Sequence, residues 1–255
     1  MGQVIFVSAG PGAADLITLR GARALGRADV VLFDALTDPA LRDLAPNARW
    51  LDVGKRGFCD SAKQEAINAL LVAQAQKHAV VVRLKGGDAS IFGRLEEELL
   101  ALAEAGIESE VVPGVTSAIA AAAHSQRPLT RRGAGRSVSL TTAMTREGDL
   151  QAARTADTEV FYMAGQQLGT LSRKLLDAGW PGDTPVLVTS RAGCVDALAS
   201  DHAVSTLAAA SLLHKGRPTV VTVGVGARKL AKSPVKSVGN VDFQPSRASV
   251  NSLSD

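Results

Sequence analysis

Residues 80–94 read VVVRLKGGDASIFGR. The first half is an apolar, β-branched run of the kind that forms a strand buried on both faces of a parallel sheet. The second half passes through Gly86-Gly87-Asp88 and Ile91-Phe92-Gly93-Arg94, and a helical pattern begins within a few residues. A strand that runs into a glycine pair and an acid has the layout of a ligand site in an open α/β sheet. The glycines let the backbone approach a ligand closely, and the carboxylate accepts hydrogen bonds from hydroxyls or amines. A tight strand-to-helix turn that needs positive φ selects the same glycines, so the stretch alone leaves both readings open.

The same alternation recurs on either side of it. Upstream, Gln3–Val7 reads as a strand ending in Ser8-Ala9-Gly10-Pro11-Gly12, Asp15–Arg27 has helical spacing, and Val30–Leu36 is a second strand with Asp34 near its end. Pro39 opens a short helix, Trp50–Val53 is a brief strand running into Gly54-Lys55-Arg56-Gly57, and Ser61 is placed to cap a helix reaching Lys77. Downstream, a helix from Arg94 to Ala105 leads to a strand through Glu110–Val112, broken by Pro113-Gly114. Beyond that joint come an alanine-rich helix over Thr116–Ala123, a basic loop over Gln126–Arg136 and a strand over Val138–Thr142. Further strands are expected at Glu159–Met163, Val186–Thr189 and Thr219–Gly224, with helices at Leu168–Ala178 and Ala208–Leu213. The fold class is therefore α/β, with mostly parallel sheets in two consecutive domains, 1–113 and 114–231, and a cleft where they meet. Residues 232–255 are rich in Ser, Lys and Pro without periodicity and read as a disordered tail.

Composition excludes several classes of function. With 28 basic and 25 acidic residues the net charge is only +3, too little for a duplex-binding surface, and no nucleic-acid partner is expected. Basic residues do gather locally, at Lys55-Arg56 and at Arg127, Arg131, Arg132 and Arg136, a pattern that marks either an anion site or a solvated face. Cys59 and Cys194 are the only cysteines and the four histidines are scattered, so neither a disulfide framework nor a metal site is expected. No run of 18 apolar residues occurs, and QVIFVSAG reads as a strand rather than a signal peptide. The expected setting is cytoplasmic and reducing, without a membrane partner.

Gly10-Pro11-Gly12 lies between a strand and a helix, where a dinucleotide fingerprint would sit, but GxGxxG is absent and so is GxxxxGK[ST]. Glycine turns at strand ends without a phosphate cradle fit a nucleoside-type ligand that carries no phosphates.

At this point six motifs come into register: AGPG, VVLFD, DVGKRG, VVRLKGGD-x-x-IFGR, EVVPGVTSA and PLTRRG. In this order and spacing, over residues 3 to about 226, the chain resembles the tetrapyrrole methyltransferase family, and within it the enzymes that act on uroporphyrinogen III. The resemblance implies two α/β domains in a homodimer, with S-adenosylmethionine held in the cleft and S-adenosylhomocysteine released. It implies that uroporphyrinogen III is methylated at C2 and C7 to give precorrin-2, which feeds sirohaem or cobalamin synthesis. By the same resemblance Pro11, Gly86, Gly87, Asp88, Ile91, Thr116, Ser117, Met163 and Ala192 match cofactor-binding positions. Asp34 and Lys55 match a proton acceptor and a proton donor, and Arg94 and Glu97 an arginine and an acid near the tetrapyrrole.

The chemistry of these residue types agrees with such roles. Methyl transfer from a sulfonium needs mainly positioning, which supplies on the order of 7–11 kcal/mol for well-oriented reactants. The methylated ring is cationic and must lose a proton, which gives a base such as Asp34 work to do, although an acid at that place also caps turns. The substrate is a polycarboxylate, and arginine forks bind carboxylates, so Arg131, Arg132 and Arg136 are substrate-binding candidates beside Arg94. Lys55 can serve the same electrostatic purpose rather than move protons. Met163 is either pocket wall or core filler. Four departures from the family pattern stand out: no acid follows Gly12, Ala89 replaces a proline, Leu95-Glu96 replace two glycines, and Arg131 replaces a histidine. If Leu95 or Glu96 had to adopt positive φ it would be strained. That strain leaves open a catalytically weakened cofactor-binding protein, and a methyltransferase acting on a later corrin precursor is a further alternative.

Overall fold

The computed structural model describes residues 2–54, 60–143 and 150–230. Lys55, Cys59 and the tail from 232 lie outside them, so the expectations for these positions stay as they were.

Two five-stranded sheets make up the described chain. The first half runs β1 (Gln3–Ser8), α1 (Leu19–Leu25), β2 (Val30–Phe33), β3 (Arg49–Asp52), α2 (Asp60–Ala75), β4 (Val80–Lys85), α3 (Leu95–Glu104) and β5 (Ser109–Val112). Its strands lie in the order β3-β2-β4-β1-β5 and every pairing is parallel. The near-continuous apolar runs of the sequence arise because helices cover both faces. Along β1, Val4 and Phe6 pack with Ile67 and Leu71 of α2 and Leu102 of α3, while Ile5 and Val7 pack on the other face with Ala24 and Leu25 of α1. The helix expected over Asp15–Arg27 is shorter: a 3-10 turn at Ala14–Leu16 precedes α1, whose cap is Thr18, with its hydroxyl accepting from Gly21 N at 3.1 Å. Ser61, expected as a cap, falls inside α2.

The second half runs α4 (Ser117–Ser125), β6 (Val138–Thr142), β7 (Thr158–Tyr162), α5 (Leu168–Asp177), β8 (Pro185–Ser190), β9 (Leu198–Ala203), α6 (Ala210–Leu213) and β10 (Thr219–Gly224). Here the expectation of mostly parallel pairing needs correction. In the order β6-β7-β10-β8-β9 only β6 and β7 are parallel, and the other three pairings are antiparallel. β7 and β10 nevertheless read as parallel strands because they too are covered on both faces. Phe161, Val221 and Val223 meet α5, and Val160, Tyr162 and Val220 meet α4.

This topology fixes where a ligand can sit. β1 and β4 are neighbours, yet the chain leaves β1 toward β2 and leaves β4 toward β5 on the far side of β1. Their carboxyl ends therefore flank a topological switch point, the usual crevice for ligands in such sheets. In the second sheet β10 runs antiparallel to β7 and β8, so its start lies beside their ends.

Candidate active site

A cavity of about 620 Å³ opens at these strand ends. Its wall takes Gly10–Ala13 after β1, Asp34–Pro39 after β2, Lys85–Asp88 and Ile91–Gly93 after β4, and Thr116 and Ser117 at the start of α4. The second sheet adds Tyr162, Met163, Arg191, Ala192, Cys194–Asp196 and Pro218–Val220. The volume is that of a small-molecule or cofactor site.

The two glycine loops are stitched to each other. Gly87 N donates to Gly10 O at 2.7 Å, and Gly10 N returns a bond to Gly87 O at 3.2 Å. Both glycines have positive φ, 82° at Gly10 and 69° at Gly87. At Gly87 a Cβ would meet nothing within 4 Å, so the backbone angle, not crowding, demands glycine there. Asp88 ties the loop down with both oxygens: Oδ1 accepts from Ser90 N and Oδ2 from Gly114 N, each at 2.8 Å. Ala89 N donates to the buried Ser8 hydroxyl at 3.0 Å. A proline at 89 has no N–H to make that bond, so the departure to alanine adds an anchor.

Non-glycine residues with positive φ crowd the same place. Phe92 (52°), Met163 (58°) and Arg191 (51°) line the cavity and Arg94 (54°) adjoins it, which leaves only Gln126, a helix C-cap, elsewhere among the described residues. Such conformations persist where the surroundings over-determine them, and they gather at ligand sites. The strain feared at Leu95-Glu96 is absent, because the positive φ falls on Arg94, the N-cap, and Leu95 and Glu96 open α3. Glu96, Glu97 and Glu98 sit in its first turn, where the helix dipole favours acids.

Of the residues singled out in the sequence, Pro11, Asp34, Gly86, Gly87, Asp88, Ile91, Thr116, Ser117, Met163 and Ala192 are brought together on the cavity wall. Asp34 Oδ1 accepts a bond from Arg83 Nη2 at 2.7 Å, and the turn after β2 is closed by its backbone carbonyl, which accepts from Thr37 Oγ1 at 2.8 Å. Its carboxylate is thus no turn cap. Met163 is 54% exposed and Phe92 42%, so Met163 is not core filler. The two form an apolar ledge with Tyr162, whose ring meets Phe92 edge-on at 5.0 Å and whose hydroxyl bonds Thr116 Oγ1 at 2.8 Å.

The substrate candidates lie outside this wall. Arg94 and Glu97 pair with each other at 2.7 Å beside a second, shallower depression formed with Leu99, Leu100 and Ala103. Arg131 bonds the Arg228 carbonyl, and burial lowers its pKa. Arg132 and Arg136 are exposed in the same loop. Arg127, the fourth member of the basic cluster, is structural: buried, it bonds Asp201 and the Ala227 carbonyl. No group of three or more His, Cys, Asp or Glu side chains suited to a metal occurs among the described residues.

Sequence reasoning missed Phe92, Tyr162 and Arg191 on the wall. It also missed the buried row behind Asp34, in which Arg83 Nε and Lys85 Nζ bond Glu98 at 3.1 and 2.9 Å. The available signal for the row was two cations in an otherwise apolar strand.

Comparison with known proteins now decides the family. Residues 3–208 match the family described as Tetrapyrrole (Corrin/Porphyrin) Methylases. The chain belongs to the tetrapyrrole methylase family. Among curated family members it is 38% identical to the uroporphyrinogen-III C-methyltransferase of Pseudomonas aeruginosa, over 92% of this chain and 98% of that one. It is 43% identical to siroheme synthase 1 of Yersinia pseudotuberculosis over 89% of this chain, but it spans about half, 48%, of that relative. Among solved structures, the Thermus thermophilus uroporphyrin-III C-methyl transferase complexed with S-adenyl homocysteine superposes with a TM-score of 0.77. It is 35% identical, with 88% of this chain and 97% of that one covered. A cobalt precorrin-4 methyltransferase superposes at 0.78 with 27% identity, covering 89% and 96%.

Proposed function

We propose that this protein transfers methyl groups from S-adenosylmethionine to uroporphyrinogen III, at C2 and then C7, giving precorrin-2 by way of precorrin-1. The observation that carries the reading is the likeness to the Pseudomonas uroporphyrinogen-III C-methyltransferase along nearly the full length of both chains. The site agrees with it. Backbone cradles at Gly10–Gly12 and Gly86–Asp88 face an apolar ledge of Phe92, Tyr162 and Met163, as a ligand with a polar amino-acid end and a flat base requires.

When bound, S-adenosylmethionine supplies a methyl group on a cationic sulfonium. The loop carrying Gly86, Gly87 and Asp88 orients the donor, and its bonds to Ser8, Gly10 and Gly114 hold that orientation from three sides. Asp34, its carboxylate fixed by Arg83 and about one-third exposed to the cavity, takes the proton that the methylated macrocycle must lose. Arg131, Arg132 and Arg136 belong to a loop at the opposite end of the second sheet, by the end of β10 and the start of β7, and do not reach the cavity within one chain. Arg94, next to Gly93 of the wall, adjoins the cavity and meets the carboxylates of so large a substrate. Lys55 acts as a further cation for them. Two domains joined at Pro113-Gly114, a homodimeric assembly and a cytoplasmic setting complete the proposal on the strength of the family resemblance. No described helix is long and apolar enough to cross a membrane.

The likeness to a cobalt precorrin-4 methyltransferase supports a second reading, in which a later corrin precursor is the acceptor. One assay separates the two. Purified protein is mixed anaerobically with S-adenosylmethionine and enzymatically made uroporphyrinogen III, and the products are followed by absorbance and mass. Two added methyl groups are expected. Cofactor binding without methyl transfer to this acceptor would overturn the proposal.

A further inference from the structure

Arg83 and Lys85 are two buried cations on an otherwise apolar strand. The two-residue period of β4 turns both toward α3, where fully buried Glu98 takes one on each oxygen. The other end of the Arg83 guanidinium reaches Asp34, and Lys85 itself lines the cavity. Lys85, Glu98, Arg83 and Asp34 therefore form one continuous row that starts and finishes at the cavity wall. Fully ionised, it carries two positive and two negative charges. The charged groups facing Lys85 among the described residues are Arg83 on its own strand, Glu98 on α3 and Asp34 after β2. α2 contributes Gln64, a neutral donor to Glu98 at 3.3 Å. As a mere fastener such a row is a poor choice, since well-packed apolar side chains often do as well or better than a buried ion pair.

We propose that Lys85 is the charge-balancing partner of Asp34, releasing a proton to solvent through the cavity when Asp34 takes one from the methylated macrocycle. The inference rests on the methyltransferase reading above. In the step, a carbon–hydrogen bond of the cationic macrocycle breaks and its electron pair stays behind, neutralising the ring. The proton forms an O–H bond on Asp34. The row is then left with one excess positive charge in a medium of low dielectric. Arg83 cannot relieve it, because a guanidinium does not deprotonate in proteins. Lys85 can: burial, and next the charge of Arg83, lower its pKa. One N–H proton leaves Lys85, the row returns to neutrality, and both groups reset through the cavity before the next turnover.

The experiment is the single-turnover rate of methylated product formation against pH, with S-adenosylmethionine and uroporphyrinogen III saturating, for the wild type, Lys85→Met and Lys85→Arg. Melting temperature and S-adenosylhomocysteine affinity are measured alongside. The wild-type rate is expected to rise with pH as Lys85 sheds its proton. Lys85→Met raises the rate at the low-pH end and flattens that rise. Lys85→Arg, permanently charged, slows the reaction on the order of 10-fold or more at unchanged cofactor affinity. A simple fastener gives the reverse order, because arginine keeps the pair with Glu98 and methionine loses it, and that order would overturn the proposal. Should Lys85→Arg fail to fold, a pH slope that persists in Lys85→Met overturns it alone. A wild type that adds no methyl group defeats the methyltransferase reading itself, an outcome distinct from an active wild type whose slope ignores Lys85.

Discussion

Asp88 and Arg94 sit six residues apart and do different work. Asp88 commits both oxygens to backbone N–H groups of its own protein, so its contribution to ligand binding includes holding the loop in place. Each hydrogen bond to a charged group is worth about 1.5–3 kcal/mol. Asp88→Ala is therefore expected to weaken S-adenosylhomocysteine binding by roughly 10-fold or more, read by calorimetric titration. Unaltered affinity would show that the loop keeps its shape without the acid. Arg94 belongs to the outer side, and Arg94→Ala is expected to spare cofactor affinity while slowing methyl transfer. Its φ of 54° adds a check. Glycine adopts that angle freely and alanine does not, so Arg94→Gly should melt higher than Arg94→Ala, by about 1 kcal/mol of stability. A lower melting point for the glycine variant would mean that the left-handed cap is not what position 94 requires.

At the scale of elements, what could be read from the sequence was whatever local pattern decides. The strand-to-glycine transitions at Gly10 and Gly86, and the helices after them, follow from apolar periodicity and turn chemistry, and they carry most of the cavity wall. Strand direction is not local. β7 and β10 are buried on both faces, as a parallel strand would be, and nothing in TEVFY or TVVTVG tells which way a neighbour runs. β9, with its exposed and half-buried alternation in LASDHA, lacks the apolar run that marks the central strands. The row behind Asp34 was hidden for a similar reason: Glu98 stands among three consecutive glutamates on α3, and only packing shows that it, unlike Glu96 and Glu97, is buried. That burial makes a strong prediction. Glu98→Ala leaves Arg83 and Lys85 without their shared partner and should cost about 3–5 kcal/mol, measured by urea unfolding. A loss below about 1 kcal/mol, the scale of a surface pair, would show that the two cations find other partners or water.

For the molecule as a whole, the dependence of stability on pH should fall into two separate windows. His214 is fully buried between two hydroxyls, Ser190 Oγ at 2.5 Å from Nδ1 and Ser200 Oγ at 2.8 Å from Nε2, and burial, followed by the charge of His202, lowers its pKa. The unfolded chain, with an ordinary histidine near 6.5, then binds a proton that the native state refuses. Stability is consequently intact above about pH 7 and falls as pH drops through the unfolded value, because protonation favours the unfolded state. The carboxylates act lower. Asp201 is held below the usual range first by its bond from Arg127, so its contribution is present above about pH 4 and is lost only as pH falls toward its native value. Asp157 and Asp196 shift the same way but lie in solvent, where screening leaves them little weight. Melting curves should therefore show a first decline between about pH 7 and 5 and a second below about 4. His214→Gln, which can still bond one of the serines but cannot titrate, should flatten the first decline whatever it does to the absolute melting point. A first decline that survives in His214→Gln would move its origin away from this buried histidine.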